Sequence, residues 1–569
     1  MRQRRWFLMA FLVAIALLAS WLWWAKPRQV DMAAYAPANS LLYLEANQPV
    51  EVARVLAATD AGKILESFAG KHQAATGNIW LQRFVRWTGI GPIESVILAR
   101  SQIAVVVTDL GATEDADTLR VKPEGALIIE TQTAESRIRP PVEKAIKKLA
   151  ELTYGKPVFR GATVDGVDLF EWTAPRGGRQ IVGAIVGSRV IVGNTQQAVQ
   201  SCLAVIQGRR PNLAEDPELK RLRLQLRGEE AVSFGYVPAA NGARLLSIGV
   251  PILLGRAPAN SEFQRLITTG AGKVFGSLAW SSRPFMSGIE DRFLISLQPS
   301  IVTRLKQNFT STKISSEMQQ ILPNDVHSVT YYKFENPLSA WQDVKGAVSS
   351  QIDALSAIVF SSLLKSALSS YGIEEPEAFL AAVNAGIFTL RMDQDSERSM
   401  LIARVRDQEK LRELFSRTMR VRTSNDGQGQ PEMLQDPQSE FAAGFIGEFV
   451  VMGSPDDVRR YTEAVRNRTV LSDPDKLRKI TFFVPLHSDA SIVTYANDSD
   501  RARRFISAAI AARSGTPVGG NRMDQLLRDL PYSATETSLG EHGLERTTRS
   551  PLGQFSTLLP LLIPEQNTP

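Results

Sequence analysis

The sequence predicts an α+β fold written twice: two homologous tandem modules with mainly antiparallel sheets and packed helices, behind one N-terminal transmembrane helix. Three observations predict it. Gly187-Ser188-Arg189-Val190-Ile191-Val192-Gly193-Asn194 returns 260 positions later as Gly447-Glu448-Phe449-Val450-Val451-Met452-Gly453-Ser454, each followed by a helical stretch. Runs of strand-like sequence with hairpin turns and interspersed helices lack a regular βαβ alternation, which favours an antiparallel α+β module. Trp6 to Ala25 is an uncharged run of 20 residues.

At about 1.5 Å per residue such a run spans about 30 Å, one hydrocarbon core. Arg2, Arg4 and Arg5 precede it, while Lys26 and Arg28 follow. Trp6 stands at its start, and Trp21, Trp23 and Trp24 crowd its far end as an interfacial belt; the charge bias keeps the N-terminus cytoplasmic. The competing reading is a cleaved secretory signal, but Leu17-Leu18-Ala19-Ser20 is a poor small-x-small site. Either reading exports the remainder. The expected location is the inner (cytoplasmic) membrane, single pass, with the bulk of the chain periplasmic or extracytoplasmic.

The net charge is +6, yet residues 1–30 supply five basic groups and no acidic one, leaving 60 against 59. A nearly neutral exported body lacks the electrostatic footprint of a nucleic-acid binder, so none is expected as a partner. Cys202 is the only cysteine, which excludes an internal disulfide. Among Val199, Leu203 and Ile206 it reads as a small buried hydrophobe.

About 535 residues after the anchor exceed one core. The repeat divides the chain into a cytoplasmic tail at 1–5, the transmembrane helix at 6–25, a linker at 26–34, module one at 35–315 and module two at 316–569. The modules open at Ala36-Pro37-Ala38-Asn39-Ser40-Leu41-Leu42-Tyr43 and Leu322-Pro323-Asn324-Asp325-Val326-His327-Ser328-Val329, where a Pro and Asn/Asp turn feeds a strand. Asn47-Gln48-Pro49 and Asn336-Pro337 then start helices. Thr88-Gly89-Ile90-Gly91-Pro92 and Tyr371-Gly372-Ile373-Glu374-Glu375-Pro376 are helix stops.

Two strand pairs follow, 104–108 with 125–131 and 386–391 with 400–405, each leading into an amphipathic helix. Val142, Ile146, Leu149 and Leu152 form one apolar stripe, with Glu143 and Lys147 paired outside it; Leu411, Leu414 and Phe415 form the other. Asp165-Gly166 signals a hairpin, and the repeated glycine hairpins come next. Asp216-Pro217-Glu218 and Asp473-Pro474-Asp475 open further helices before strands at 232–237 and 491–496. Both modules end in β sequence, 274–297 and 534–555, while 424–438 reads as a surface loop.

The sequence carries no catalytic motif, and the expectation is a protein that is not an enzyme and has no cofactor or metal. His72, His327, His487 and His542 are scattered without ligand spacing. His487-Ser488-Asp489 is adjacent in one turn and cannot assemble as a triad, and no G-x-S-x-G elbow exists. Ser362-Leu363-Leu364-Lys365 sits in a stripe with Ile358 and Leu368 that reads as core helix. The acidic pairs Glu215-Asp216, Glu374-Glu375 and Asp456-Asp457, with Asp473 and Asp475, lie mostly beside proline at helix starts, where carboxylates cap free N–H groups. Asp393-Gln394-Asp395 is a hairpin turn without the glycine and glutamate of a calcium loop. Trp80, Phe84 and Trp87 share one helix face, a core stripe that becomes a partner-contact face if nothing covers it.

The Pro-Ala-Asn-Ser opener at Pro37, the Gly-x-x-Val-Ile-Val-Gly hairpin at Gly187 and the Asp216-Pro217-Glu218 helix start together resemble a bacterial membrane-anchored, exported family catalogued only as a domain of unknown function. The resemblance implies one N-terminal span and a large exported region, and no catalytic residues. The expected function is therefore a non-enzymatic binding or scaffold component of the cell envelope, with an envelope protein or polymer as partner and the membrane held through the N-terminal helix. Its rivals are a carrier or sensor of an apolar or lipid ligand and an envelope hydrolase built from carboxylates.

Overall fold

Each Pro and Asn turn at a module opening feeds a strand, and each of those strands sits inside a sheet rather than at its edge. The computed structural model describes residues 29–69, 97–115, 118–175, 178–242, 245, 269–306, 309, 321–324, 326–393, 399–417, 419–422, 433–435, 441–467, 474–485, 488–514 and 521–555. Trp6, Trp21, Trp23, Trp24, Trp80, Phe84, Trp87, the 88–92 helix stop, His72, His487, Asp473 and the 315/316 boundary lie outside the described residues. Among the described residues no helix is long and apolar enough to cross a membrane.

Among the described residues twenty strands form one antiparallel sheet. The first ten are β1 (Leu42–Ala46), β2 (Gln102–Asp115), β3 (Thr118–Glu130), β4 (Val158–Val164), β5 (Val167–Thr173), β6 (Gln180–Val186), β7 (Arg189–Gly193), β8 (Ser233–Val237), β9 (Phe275–Phe285) and β10 (Gly288–Leu297). The second ten are β11 (Ser328–Tyr332), β12 (Val383–Arg391), β13 (Met400–Val405), β14 (Arg420–Arg422), β15 (Met433–Gln435), β16 (Ala442–Ile446), β17 (Phe449–Gly453), β18 (Ile492–Ala496), β19 (Ser533–Leu539) and β20 (Gly543–Ser550).

The pairings run β4-β5-β6-β7-β3-β2-β1-β8-β9-β10 and continue β20-β19-β18-β11-β12-β13-β17-β16-β15-β14. Read inward from each edge, the two halves connect their strands in the same sequence. The expectation of separate sheets is corrected by the β10–β20 ladder, from Ile289↔Ser550 to Ser296↔Gly543. Each half ends in a hairpin whose last strand has one free edge, and the two edges satisfy each other's backbone groups.

Side chains alternate across the sheet, so the register assigns every core residue to a face. On one face the helices Gln196–Ile206 and Pro217–Gln225 cover Tyr43, Val106, Ile128, Ile191, Tyr236 and Ala279. The helices Pro455–Arg466 and Pro474–Ile480 cover Val329, Tyr331, Phe388, Ile402, Val451 and Tyr495 on that same face. The opposite face packs Glu135–Tyr154 over Phe170 and Trp172, and Gln408–Ser416 over Leu401 and Val450. Asp60–Ala69, Ser499–Ser514 and Asn521–Arg528 form a helical cluster around Ile506 and Leu527.

The local signals act as read at most positions. Asp165 (φ 52°) and Gly166 (φ 77°) occupy the left-handed region that a two-residue β4–β5 turn demands. Asn336 accepts from the Ser339 N–H at 3.1 Å, and Ser454 Oγ accepts from the Asp457 N–H at 3.2 Å above the first-turn Pro455. Cys202 is wholly buried, and desolvation pushes its thiol up to about 12. Thiol-disulfide reagents at pH 8 should therefore leave the native chain unmodified and titrate its single thiol only after denaturation. A colour change before unfolding would show that the pocket around Cys202 opens.

Four details differ. In the Glu135–Tyr154 helix the buried stripe is Ile138, Val142, Ile146 and Ala150, while Leu152 is 58 % exposed, because the stripe advances by four residues per step. Arg139 bridges Glu135 and Glu143, and Lys147 turns to Glu151 instead of Glu143. Ile358 is 64 % exposed on the Ala354–Ser369 helix, so that stripe is not core over its whole length. The 424–438 segment contains β15, held between β14 and β16, with Leu434 buried.

The centre of the sheet is polar. Glu290 is fully buried on β10 and receives Arg283 at 2.6 Å, Arg292 at 2.8 Å and, across the seam, Arg549 at 2.8 Å. Arg549 also reaches Glu536 at 2.6 Å and lies over the Phe285 ring at 4.9 Å. Burial pushes the Glu290 carboxyl up, but hydrogen bonds and charge from Arg549, Arg292 and Arg283 outweigh it and hold the group below its ordinary value. On the other face Asp291 accepts from Ser282 Oγ at 2.5 Å and from the Gln554 N–H at 2.8 Å.

Candidate functional site

A cavity of about 560 Å³ opens in the second half, where the segments flanking β11, β12, β18 and β19 meet the Pro474–Ile480 helix. His327 is held there by its backbone: its N–H donates to the Arg391 carbonyl and its carbonyl accepts from the Asn497 N–H, both at 2.8 Å. Tyr532 closes one side, its hydroxyl donating to the Val326 carbonyl at 2.5 Å and its N–H to the Lys479 carbonyl at 3.2 Å. Asn497 Oδ1 caps the following helix by accepting from the Ser499 N–H at 3.0 Å. Val326, Met392, Ile480 and Tyr532 give the cavity an apolar floor.

Its charged groups come from three elements. Lys476 and Lys479 lie one turn apart on the Pro474–Ile480 helix, and Arg528 ends the Asn521–Arg528 helix. The carboxylate in the lining, Asp393 after β12, is ion-paired with Arg460. Burial lowers the Lys479 ammonium from its ordinary value, opposed by the charge of Asp529. Burial and then Arg391 lower the His327 imidazole, so near neutral pH it presents an uncharged ring. The Asn324 side-chain oxygen is buried and accepts no hydrogen bond among the described residues.

Its lysines, arginine and amides can attract and hold a polar group. Ser488, which the sequence sets beside Asp489, instead donates to Glu536 and accepts Lys333 through its carbonyl. The acidic pairs remain apart: Asp216 caps Glu218 at 2.9 Å and accepts from Tyr236 at 2.7 Å, while Asp457 joins the Ser454 cap at 2.7 Å. Among the described residues no group of three or more His, Cys, Asp or Glu could hold a metal ion.

A second cavity, of about 860 Å³, lies between the Glu135–Tyr154 helix and the β4–β5 hairpin. Arg139, Glu143, Lys144 and Lys147 line it with Phe159 and Trp172, whose rings meet at a tilt of 52° with centroids 5.2 Å apart. β4 forms the outer edge of the first half, with Phe159 59 % exposed. Neither cavity was singled out by the sequence. The signal for the first was Lys476 and Lys479 flanking Leu477 on a seven-residue helix, a pattern shared with any solvated helix face. No family model matches the chain, nor does any curated protein or solved structure.

Proposed function

We propose that the chain is a single-pass, membrane-anchored extracytoplasmic protein whose duplicated body is a non-enzymatic binding or scaffold component of the cell envelope, as the resemblance to the membrane-anchored exported family implies. The observation that carries this reading is the strand order, which repeats half for half about the β10–β20 ladder. Tyr236 and Tyr495 each pair with an alanine on the next strand, Ala279 and Ala534, and one step further lie Leu294 and Arg549. On that correspondence Arg292 and Thr547 occupy equivalent places and face each other, so a dyad passes through the seam.

A duplicated body of this kind offers a partner two related surfaces on one rigid frame, which raises avidity without any reacting group. Both cavities set charged side chains beside apolar surface, which suits a ligand or partner with a polar group better than a wholly apolar one. Crosslinking the full chain in membranes of its native host, followed by affinity purification, tests the reading. Recovery of a defined envelope protein or polymer supports it; a stoichiometric apolar lipid with no macromolecule overturns it in favour of a carrier.

A further inference from the structure

The two outer edges of the sheet are unlike. β14 ends the second half with three residues, whereas β4 ends the first half with seven, paired to β5 from Val158↔Thr173 to Val164↔Val167 without a register shift. Short strands, bulges and inward charges are the usual ways of blunting an edge, and β4 has the length and regularity that favour pairing instead. Residues 158–163 are all exposed, and among the described residues no second strand pairs with β4. Its one charged residue, Arg160, lies opposite Glu171, on the face away from Phe170 and Trp172.

The hairpin fixes which backbone groups point outward. Asp165 and Gly166 form a two-residue turn with positive φ at both positions, so the flanking Val164 and Val167 exchange both of their hydrogen bonds. Counting back by twos, Ala162 and Arg160 also bond to β5, while Phe159, Gly161 and Thr163 turn their N–H and C=O groups away from it. Those groups have no backbone partner among the described residues. The same residues stand opposite Trp172, Phe170 and Asp168, on the face covered by the Glu135–Tyr154 helix. There the strand edge is a wall of the 860 Å³ cavity, which Phe159, Gly161, Ala162 and Thr163 all line. A side-chain carbon on Gly161 would meet nothing within 4 Å, and the Phe170 ring opposite lies over Gly183 of β6 instead. Rim charges are engaged by one another: Arg139 meets Glu143 at 3.3 Å and Asp168 at 4.0 Å, and Lys147 meets Glu151 at 3.9 Å. Recognition at this edge therefore falls to main-chain groups and apolar surface.

From this we propose that β4 is a docking edge for an extended segment of another polypeptide, which pairs with Phe159, Gly161 and Thr163 and sets an apolar side chain at every second position, over Gly161 and beside Phe159. The proposal rests on the scaffold reading and deepens it by naming the surface and the conformation of the partner. The chain already joins its own halves by edge pairing, at the β10–β20 ladder. A second copy suits the edge less well. The dyad pairing that uses the whole strand sets Gly161 opposite Gly161 and Phe159 opposite Thr163, so the space over both glycines stays unfilled and each aromatic ring meets a hydroxyl.

The test is selection of a displayed library of short random peptides on the full chain in detergent micelles, followed by fluorescence-anisotropy titration of the enriched sequences. Those sequences should alternate apolar and polar residues. On binding, the amides of Phe159, Gly161 and Thr163 should gain protection from hydrogen exchange, while those of Arg160 and Ala162, already bonded to β5, should not change. G161P removes an outward N–H that the internal ladder does not use, and should weaken binding by about tenfold or more. G161A keeps that N–H and should stay within about twofold of the native chain. The exchange pattern needs no variant, so it decides the matter even if G161P does not fold. Failure to enrich any peptide, unchanged exchange at Phe159, Gly161 and Thr163, or equal affinity for folded G161P overturns the proposal. Concentration-dependent dimerisation that G161P abolishes overturns it in favour of a second copy. None of these outcomes touches the scaffold reading, which the crosslinking experiment decides separately.

Discussion

Replacing Glu290 with alanine is expected to lower the unfolding free energy by about 3–5 kcal/mol, the usual cost of removing one member of a buried ion cluster. Glu290 is fully buried, and its two oxygens gather Arg283, Arg292 and Arg549, whose side chains are only 18 %, 29 % and 18 % exposed. Without the carboxylate, three guanidinium groups converge on a gap, with Arg549 still held by Glu536 at 2.6 Å and Arg283 only by the more distant Glu230 at 3.7 Å. Glu290→Gln preserves the shape and one acceptor but not the charge, so it should fall between the two. Denaturant unfolding of the full chain in detergent, followed by circular dichroism, measures both variants. A loss below about 1 kcal/mol would place the cluster with ordinary surface pairs and remove it as the lock of the seam.

One residue further along β10, the sign reverses. Asp291 is 2 % exposed, and burial raises its carboxyl from 3.8 to about 6 despite hydrogen bonds from Ser282 and the Gln554 N–H. An acid whose folded value is raised binds its proton more tightly in the native state. Its stabilising contribution is therefore full below about pH 4 and is lost as pH rises through about 6. The shift corresponds to about 3 kcal/mol. In Asp291→Asn the amide can still accept from the Gln554 N–H and donate to Ser282 Oγ, and it does not titrate. The difference in unfolding free energy between native chain and variant should thus move by about 2–3 kcal/mol in favour of the variant between pH 4 and pH 7. Glu290, held below its ordinary value, acts in the opposite sense and only in more acidic solution. A pH-independent difference would show that Asp291 remains ionised throughout.

Elements with local causes were legible in the sequence. Asp165-Gly166 can satisfy its positive φ angles nearly alone, and Ser454-Pro455 caps and starts a helix wherever it stands. The strands of both module ends were legible for the same reason, since alternation and turn residues lie within a few positions of each other. The union of the two sheets was not. It depends on β10 meeting β20 about 250 residues away in sequence, and nothing near Gly288 or Gly543 announces a partner strand. The cavity at Lys479 was hidden likewise, because its walls come from segments between Asn324 and Tyr532 that no spacing rule connects. Helix faces were read too broadly: Leu152 and Ile358 obey apolar periodicity yet point outward, since periodicity names a stripe and not what covers it.

The seam is dyad-related in its backbone pairing and handed in its side chains. Glu290 faces Arg549, whereas Glu545, at the equivalent place on β20, faces Leu294, so two copies of either terminal strand paired about the same axis would not reproduce the ion cluster.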